Sequence, residues 1–256
     1  MEFLVIALIA FSTSLISGML GLGGSVLLIP AYLYLPPLLG FSRMDIKMIS
    51  GMTSLQVFAA SLPGMLLHKK RGAVNSSLVW TMGVPITLAS FTGAALSGMI
   101  SPGVIITVFA VMAVSGALLM LTQKPGDELY SGSLKFSRTG AAATALFVGF
   151  FGGMVGAPGA FLLSPLMMVF LKIPTRITIG STLGIVLLSA FAASLGKLLT
   201  GQVPLLLTLS AIVFSLPGVY LGTYLSHSLK SRTLRLILAV LIGAVGLQMG
   251  FSIFLK

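Results

Sequence analysis

The chain alternates long apolar runs with short polar interruptions, and the lengths of the runs set the reading. A helix that crosses a bilayer needs about 20 mostly apolar residues. Six runs have that length, at roughly 46–67, 77–97, 104–122, 177–199, 204–226 and 234–255. Two others, 3–40 and 139–171, are too long for one crossing, and each is broken by a glycine-rich step, at 21–24 and at 156–159. Polar residues gather at 123–138, which holds Lys124, Asp127, Glu128, Lys135 and Arg138. The pattern predicts an all-α polytopic membrane protein with roughly 8–10 membrane segments. Its first membrane unit spans 1–122, a linker follows at 123–138, and a second membrane unit spans 139–256. Backbone freed by Gly and Pro at the two breaks is tolerated at membrane depth only where protein or a wet cavity surrounds it.

The two units repeat. Ser17-Gly-Met-Leu-Gly-Leu-Gly-Gly-Ser-Val-Leu-Leu-Ile-Pro30 aligns with Gly152-Gly-Met-Val-Gly-Ala-Pro-Gly-Ala-Phe-Leu-Leu-Ser-Pro165 at an offset of 135. Gly18, Met19, Gly21, Gly24 and Pro30 all meet identical partners. Beyond the next loop an offset of 129 holds, so that Gly51 meets Gly180, Thr53 meets Thr182, Gly72 meets Gly201 and Gly93 meets Gly222. Under the same offset Lys47 falls opposite Arg176, and His68 opposite Lys197.

Composition narrows the class. Hydrophobic residues make up 57% of the chain and charged residues 7%, with a mean hydropathy of +1.12. A soluble domain carries about a quarter charged residues, so a water-soluble globule is excluded. So is intrinsic disorder, which needs low hydrophobicity. The net charge of +11 arises mostly from missing acids, 4 against 15 Lys and Arg. The partner this implies is the lipid bilayer rather than nucleic acid, because cytoplasmic loops of membrane proteins attract basic residues.

That preference also reads the topology. If each broken segment crossed once, the basic residues would fall almost evenly on the two faces. If each is a hairpin, one face collects Lys69, Lys70, Arg71, Lys124, Lys135, Arg138, Lys172, Arg176, Lys230, Arg232 and Arg235, and the other keeps Arg43, Lys47, Lys197 and Lys256. The biased solution predicts two inverted-topology repeats. Each is a glycine-broken helical hairpin plus three transmembrane helices, with the linker in the cytoplasm and both termini outside. Inverted repeats with discontinuous helices are the architecture of many secondary transporters, whose sites lie near the midplane.

Candidate chemistry follows from the breaks. Gly21, Gly23, Gly24 and Ser25 open one helix; Gly156, Pro158, Gly159 and Ala160 open the other. A helix N-terminus offers unpaired N–H groups and a partial positive charge, and glycine lets an anion approach the backbone. Two such ends related by a pseudo-two-fold axis would cradle one anion. Close packing of helices by small residues explains the same glycines. Thr53 and Ser54, with Gln56, and Ser181 with Thr182 would add hydroxyl donors early in the helix after each hairpin. Those hydroxyls also have a local alternative, bonding back to their own helix. Lys47 and Arg176 start matching helices and would make an electropositive entrance at each mouth; ordinary interfacial snorkelling explains the same pair. His68 could sense or carry protons, but beside Lys69-Lys70-Arg71 it reads as a cytoplasmic anchor in a loop, and His227 as a second loop histidine.

No Asp or Glu lies inside a predicted span. Cation pumps and proton relays rely on such carboxylates, so the substrate expected is a small anion. Cysteine is absent, which removes thiolate metal sites and thiol nucleophiles. No metal-ligand cluster, catalytic triad or cofactor motif is present, and neither an enzyme, a metal nor a cofactor is expected.

The run Gly18 to Pro30, then Gly51-Met-Thr-Ser-Leu55, His68 and Gly72-x-Val74, resembles the TauE/SafE family of sulfite and organosulfonate exporters. The second unit looks like its partner, through Gly156-Ala-Pro-Gly159, Ser181-Thr182-Leu183 and Gly201-x-Val203. The resemblance covers nearly the whole chain. It implies a transporter of sulfite, thiosulfate or a sulfonate in a prokaryotic cytoplasmic membrane. A passive anion channel, and a membrane subunit that hands a sulfur species to a cytoplasmic partner, are the other readings the residues allow.

Overall fold

A computed structural model describes residues 2–21, 25–122, 136–157 and 160–254. Among these the chain forms ten α-helices and a 3-10 turn at Ser97–Met99, with no strand. The helices are α1 (Glu2–Leu20), α2 (Ser25–Leu38), α3 (Ile46–Lys70), α4 (Ser76–Leu96), α5 (Pro102–Thr122), α6 (Arg138–Val155), α7 (Ala160–Val169), α8 (Thr175–Leu199), α9 (Leu205–Ser228) and α10 (Ser231–Phe254). Both predicted breaks are real helix ends. The six single spans fall within a few residues of their predicted limits. Most of the polar linker, 123–135, lies outside the described residues.

Seven of the described helices are long and apolar enough to cross a membrane. The 25-residue α3 is long enough too, but it is laced with Ser50, Thr53, Ser54, Gln56 and Ser61. All five are buried, while Met48, Leu62 and Leu66 keep part of α3 exposed. The helix packs on α8, whose hydroxyls are buried in the same way. Large exposed hydrophobics such as Leu88 on α4, Leu206 on α9 and Leu236 on α10 mark the outer, lipid-facing surface.

Packing follows the repeat. α1 packs most extensively on α9, and their counterparts α6 and α4 pack on each other. The central helix α3 packs on its own counterpart α8, and α5 on α10. α4 lies along α8 as α9 lies along α3. All of these large interfaces join one half of the chain to the other. The two sequence units therefore interleave: α4 sits with α6 and α8, and α9 sits with α1 and α3.

The glycines give the helix directions. A side chain at Gly51, early in α3, would strike Gln202 just past the end of α8; one at Gly180, early in α8, would strike Ala73 just past the end of α3. These contacts are copies at the 129 offset, and they make α3 and α8 antiparallel. Gly218 and Gly222 of α9 rest on the Phe11 and Leu15 carbonyls of α1, so α1 and α9 run the same way. Short turns reverse the chain between α8 and α9. α1 and α3 consequently share a direction, and α2 must return the chain between them as the second arm of a hairpin. Gly156, at φ 76°, ends α6 in a left-handed cap that L side chains rarely adopt. Gly21 has φ 68° at the equivalent place.

Candidate functional site

The two breaks do not meet. A Cβ at Gly21 would press on Ile179, the fifth residue of α8, and one at Gly156 would press on Ser50, the fifth residue of α3. Because α3 and α8 are antiparallel, these positions lie at opposite ends of the pair. At 1.5 Å per residue the separation is about 30 Å. One cradle formed jointly by both breaks is thus not what the fold builds. The reason is hairpin length: α1, with 19 residues, nearly crosses the bundle before it turns. Gly23, Gly24, Pro158 and Gly159 lie outside the described residues, and Ser25 and Ala160 are the first residues of α2 and α7.

The buried hydroxyls divide by role. Thr53 Oγ1 donates across the bundle to the Gly156 carbonyl at 2.8 Å, and also to the Ser50 carbonyl of its own helix at 3.1 Å. It pins the second break to α3. Its counterpart Thr182 instead accepts from Ser164 Oγ of α7 at 3.4 Å and faces Met167 Sδ at 3.5 Å. Ser54 bonds back to the Ser50 carbonyl at 2.9 Å. Ser181 Oγ accepts the Asn75 N–H at 2.9 Å, where Asn75 caps the start of α4. Removing that acceptor leaves an N–H unpaired, at a cost of about 1–3 kcal/mol. Ser181→Ala is expected to lower the thermal midpoint in detergent and to leave transport within two-fold of the wild-type rate. A loss of transport without a loss of stability would give Ser181 a substrate contact instead.

Each break has a basic cluster at its own end of the bundle. Beside the second break, Lys197 is fully buried. Its Nζ donates to Ser97 Oγ at 2.6 Å, to the Met154 carbonyl at 3.0 Å and to Gln202 Oε1 at 3.1 Å. The ammonium has three protons, and three neutral acceptors take them. Lys47 lies nearby as a second positive charge and donates to the Gly98 carbonyl at 2.9 Å.

Beside the first break stand the counterparts. His68 takes the place of Lys197, and Arg176 that of Lys47. His68 is buried, 1% exposed, and its ring lies 4.8 Å from that of His227. Arg176 Nη2 donates to the Leu229 carbonyl at 2.9 Å. Arg71 stands over the Tyr224 ring at 5.6 Å, a cation–π distance.

These positions correct two expectations. His68 and His227 are helical residues of α3 and α9, not loop residues. His68 is also not an exposed anchor: α3 runs past it to Lys70, and the end of α9 covers it. Lys47 and Arg176 do mark opposite ends of the bundle, in keeping with their antiparallel helices. Sequence reasoning missed Ser97, Gln202 and Ser226. The 129 offset that pairs His68 with Lys197 also pairs Ser97 with Ser226, and it was the available signal. It missed, too, a buried chain in the first repeat, where Tyr32 Oη donates to Gln56 Oε1 at 2.8 Å and Gln56 Nε2 reaches Ser14 Oγ at 3.5 Å. Among the described residues no group of three or more His, Asp or Glu side chains is placed to hold a metal ion.

Comparison with known proteins finds a matching family and relatives named as transporters. The family model "Sulfite exporter TauE/SafE" matches residues 6–249. The chain is similar to the probable membrane transporter protein YunE of Bacillus subtilis (strain 168), 21% identical over 97% of this chain and 97% of that one. It is also similar to a probable membrane transporter protein of Xylella fastidiosa (strain 9a5c), 27% identical over 82% of this chain and 79% of that one. No solved structure matches the chain.

Proposed function

The chain belongs to the sulfite exporter TauE/SafE family and is a multi-pass membrane transporter; from that premise we propose that it carries a small anion, a sulfur oxyanion or sulfonate, by alternating access. The observation that carries the reading is Lys197. A buried cation inside a membrane bundle is expensive and marks a pathway or a partner. Here its protein partners are all neutral, and Lys47 adds a further positive charge. Such a site favours a negative substrate. The family description names sulfite, and the pseudo-equivalent cluster at His68 gives the same sign of charge to the other end.

In this proposal the two repeats are inverted across a prokaryotic cytoplasmic membrane, with the linker inside and both termini outside. The moving bodies are not the sequence halves, because those interleave. They are the mixed bundles α1–α2–α3–α9 and α6–α7–α8–α4, which meet along the α3–α8 seam. Thr53 ties the second break to that seam, with the hydroxyls of Ser54 and Thr182 buried along it, and the helix starts at Ser25 and Ala160 supply backbone donors.

Counterflow in proteoliposomes tests it. Labelled sulfite uptake is expected to saturate and to accelerate when unlabelled sulfite is loaded on the far side, with little response to acetate or to Na⁺. Thr53→Val keeps the volume but drops the bond to Gly156, and uptake is expected to fall at least ten-fold. Large single-channel currents would show a passive channel. Inert liposomes with correctly folded protein would leave the delivery-subunit reading.

A further inference from the structure

We infer that the small cavity walled by His68, Arg71, Arg176 and His227 is a binding site for one inorganic oxyanion of sulfite or sulfate size. The inference rests on the anion-transporter reading above and deepens it by placing a site and limiting what fits.

The cavity has a volume of about 50 Å³, and Ser226, Ala73, Ile179 and Leu234 complete its wall. A second cavity of about 160 Å³, lined by Tyr220 and Tyr224, shares Arg71 and His227 with it. A single water needs roughly 10–15 Å³ of occupied space. The inner cavity therefore has room for a few waters, or for one small oxyanion. An organic tail does not fit there and would lie in the outer cavity between the two tyrosines.

His68 supplies the pointer to a ligand. It is 1% exposed, yet neither Nδ1 nor Nε2 has a hydrogen-bond partner. Buried polar groups are paired in the great majority of cases, and each exception has a cause. The Gly18 carbonyl faces the ring from α1 close enough to attract one N–H; it also accepts from Thr223 Oγ1 at 3.3 Å, and its two lone pairs serve at most one of the two ring nitrogens besides. From α9 comes His227, whose Nε2 is likewise unpaired. Arg71 and Arg176 add charge from beyond α3 and from the start of α8. The described acid whose side chain is placed, Asp45, caps the opposite end of α3. Four basic groups converge with no carboxylate among them, and an anion there would meet both guanidinium charges and accept an imidazole N–H.

The pseudo-symmetry explains why the space exists. At the other end Gln202 reaches in and accepts from Lys197, closing that site on itself. The counterpart of Gln202 is Ala73, whose methyl cannot reach. Ser226, the counterpart of Ser97, remains, and the volume a glutamine would fill stays open.

The chain has two histidines, His68 and His227, so labelling histidine with ¹⁵N gives two ring spin systems in the full-length protein in detergent. Titration with sulfite is expected to shift the His68 signals saturably, and His227→Gln assigns them. Acetate, chloride and neutral dimethyl sulfone are expected to leave them unmoved. Arg176→Gln should weaken sulfite binding at least ten-fold while the spectrum stays folded. Static His68 signals at sulfite concentrations that saturate counterflow would overturn the site and leave the transporter reading intact. Equal shifts with chloride would overturn it as well, as a general ionic effect. Saturable His68 shifts with no counterflow would keep the site and remove the transport reading.

Discussion

Gly222→Val is expected to yield little or no monodisperse protein, the largest loss of stability any single substitution should produce here. Gly222 lets α9 lie directly on α1: a Cβ there would overlap the Leu15 carbonyl oxygen and crowd the Met19 amide. Both are backbone atoms of a helix, so no rotamer change relieves the overlap. The counterpart Gly93 meets the Phe150 carbonyl and the Met154 amide in the same way, which shows that the contact is built into the repeat. Overpacking a core with movable side chains costs about 1–3 kcal/mol. Pushing two backbones apart along the bundle's most extensive interface removes that interface's dispersion contacts as well, and close packing is what holds membrane helices together. Gly243→Ala is the control, since nothing lies within 4 Å of a Cβ there, and it should purify like the parent. Size-exclusion profiles of the two variants decide the matter. A folded Gly222→Val protein with parental stability would mean that α1 and α9 do not pack as described.

The membrane made part of this fold legible. Backbone cannot stay unpaired in lipid, so spans and breaks are written in hydropathy and glycine, and both breaks were placed correctly. The repeat offset was equally informative, because it pairs Lys47 with Arg176 and His68 with Lys197 in the sequence alone. What it did not carry was spatial grouping. Ser97 and Gln202 reach Lys197 from the ends of α4 and α8, and Met154 reaches it from α6, whose neighbours come from both halves. Interleaving is set by which helix faces complement each other, and low charge contrast along these helices hides those faces. The convergence of the two breaks failed for a related reason. A pseudo-two-fold axis across the bundle brings equivalent parts together only near the axis, and hairpins that nearly cross the bundle end far from it. His68 misled through its neighbours: Lys69, Lys70 and Arg71 are exposed, but a single residue step turns the helix by about 100°, enough to carry the adjacent His68 under α9.

Lys197→Met is expected to give a folded protein that transports at less than a tenth of the parental rate. The stability side is a balance of opposing effects. The wild-type ammonium is buried at a desolvation penalty of several kcal/mol, offset by three charge-assisted hydrogen bonds. Methionine removes the penalty and the bonds together and fills a similar volume. Ser97 Oγ keeps its bond to the Ala94 carbonyl at 2.6 Å, and Gln202 Nε2 keeps those to Ser97 and Thr200. Gln202 Oε1 still has Ser97 Oγ at 3.4 Å, so the Met154 carbonyl is the acceptor left short, at roughly 1–3 kcal/mol. The net change is small, and the thermal midpoint should move by a few degrees at most. Function responds differently, because the variant takes a cationic group away from one end of the pathway while Arg71 and Arg176 keep theirs at the other. If alternating access uses both ends, uptake falls whichever face the anion starts from, and sulfite binding at His68 is unchanged. Measuring counterflow and the His68 ring shifts on the same preparation separates the two effects. Full transport by Lys197→Met would reduce Lys197 to a packing residue and remove the observation on which the anion reading stands.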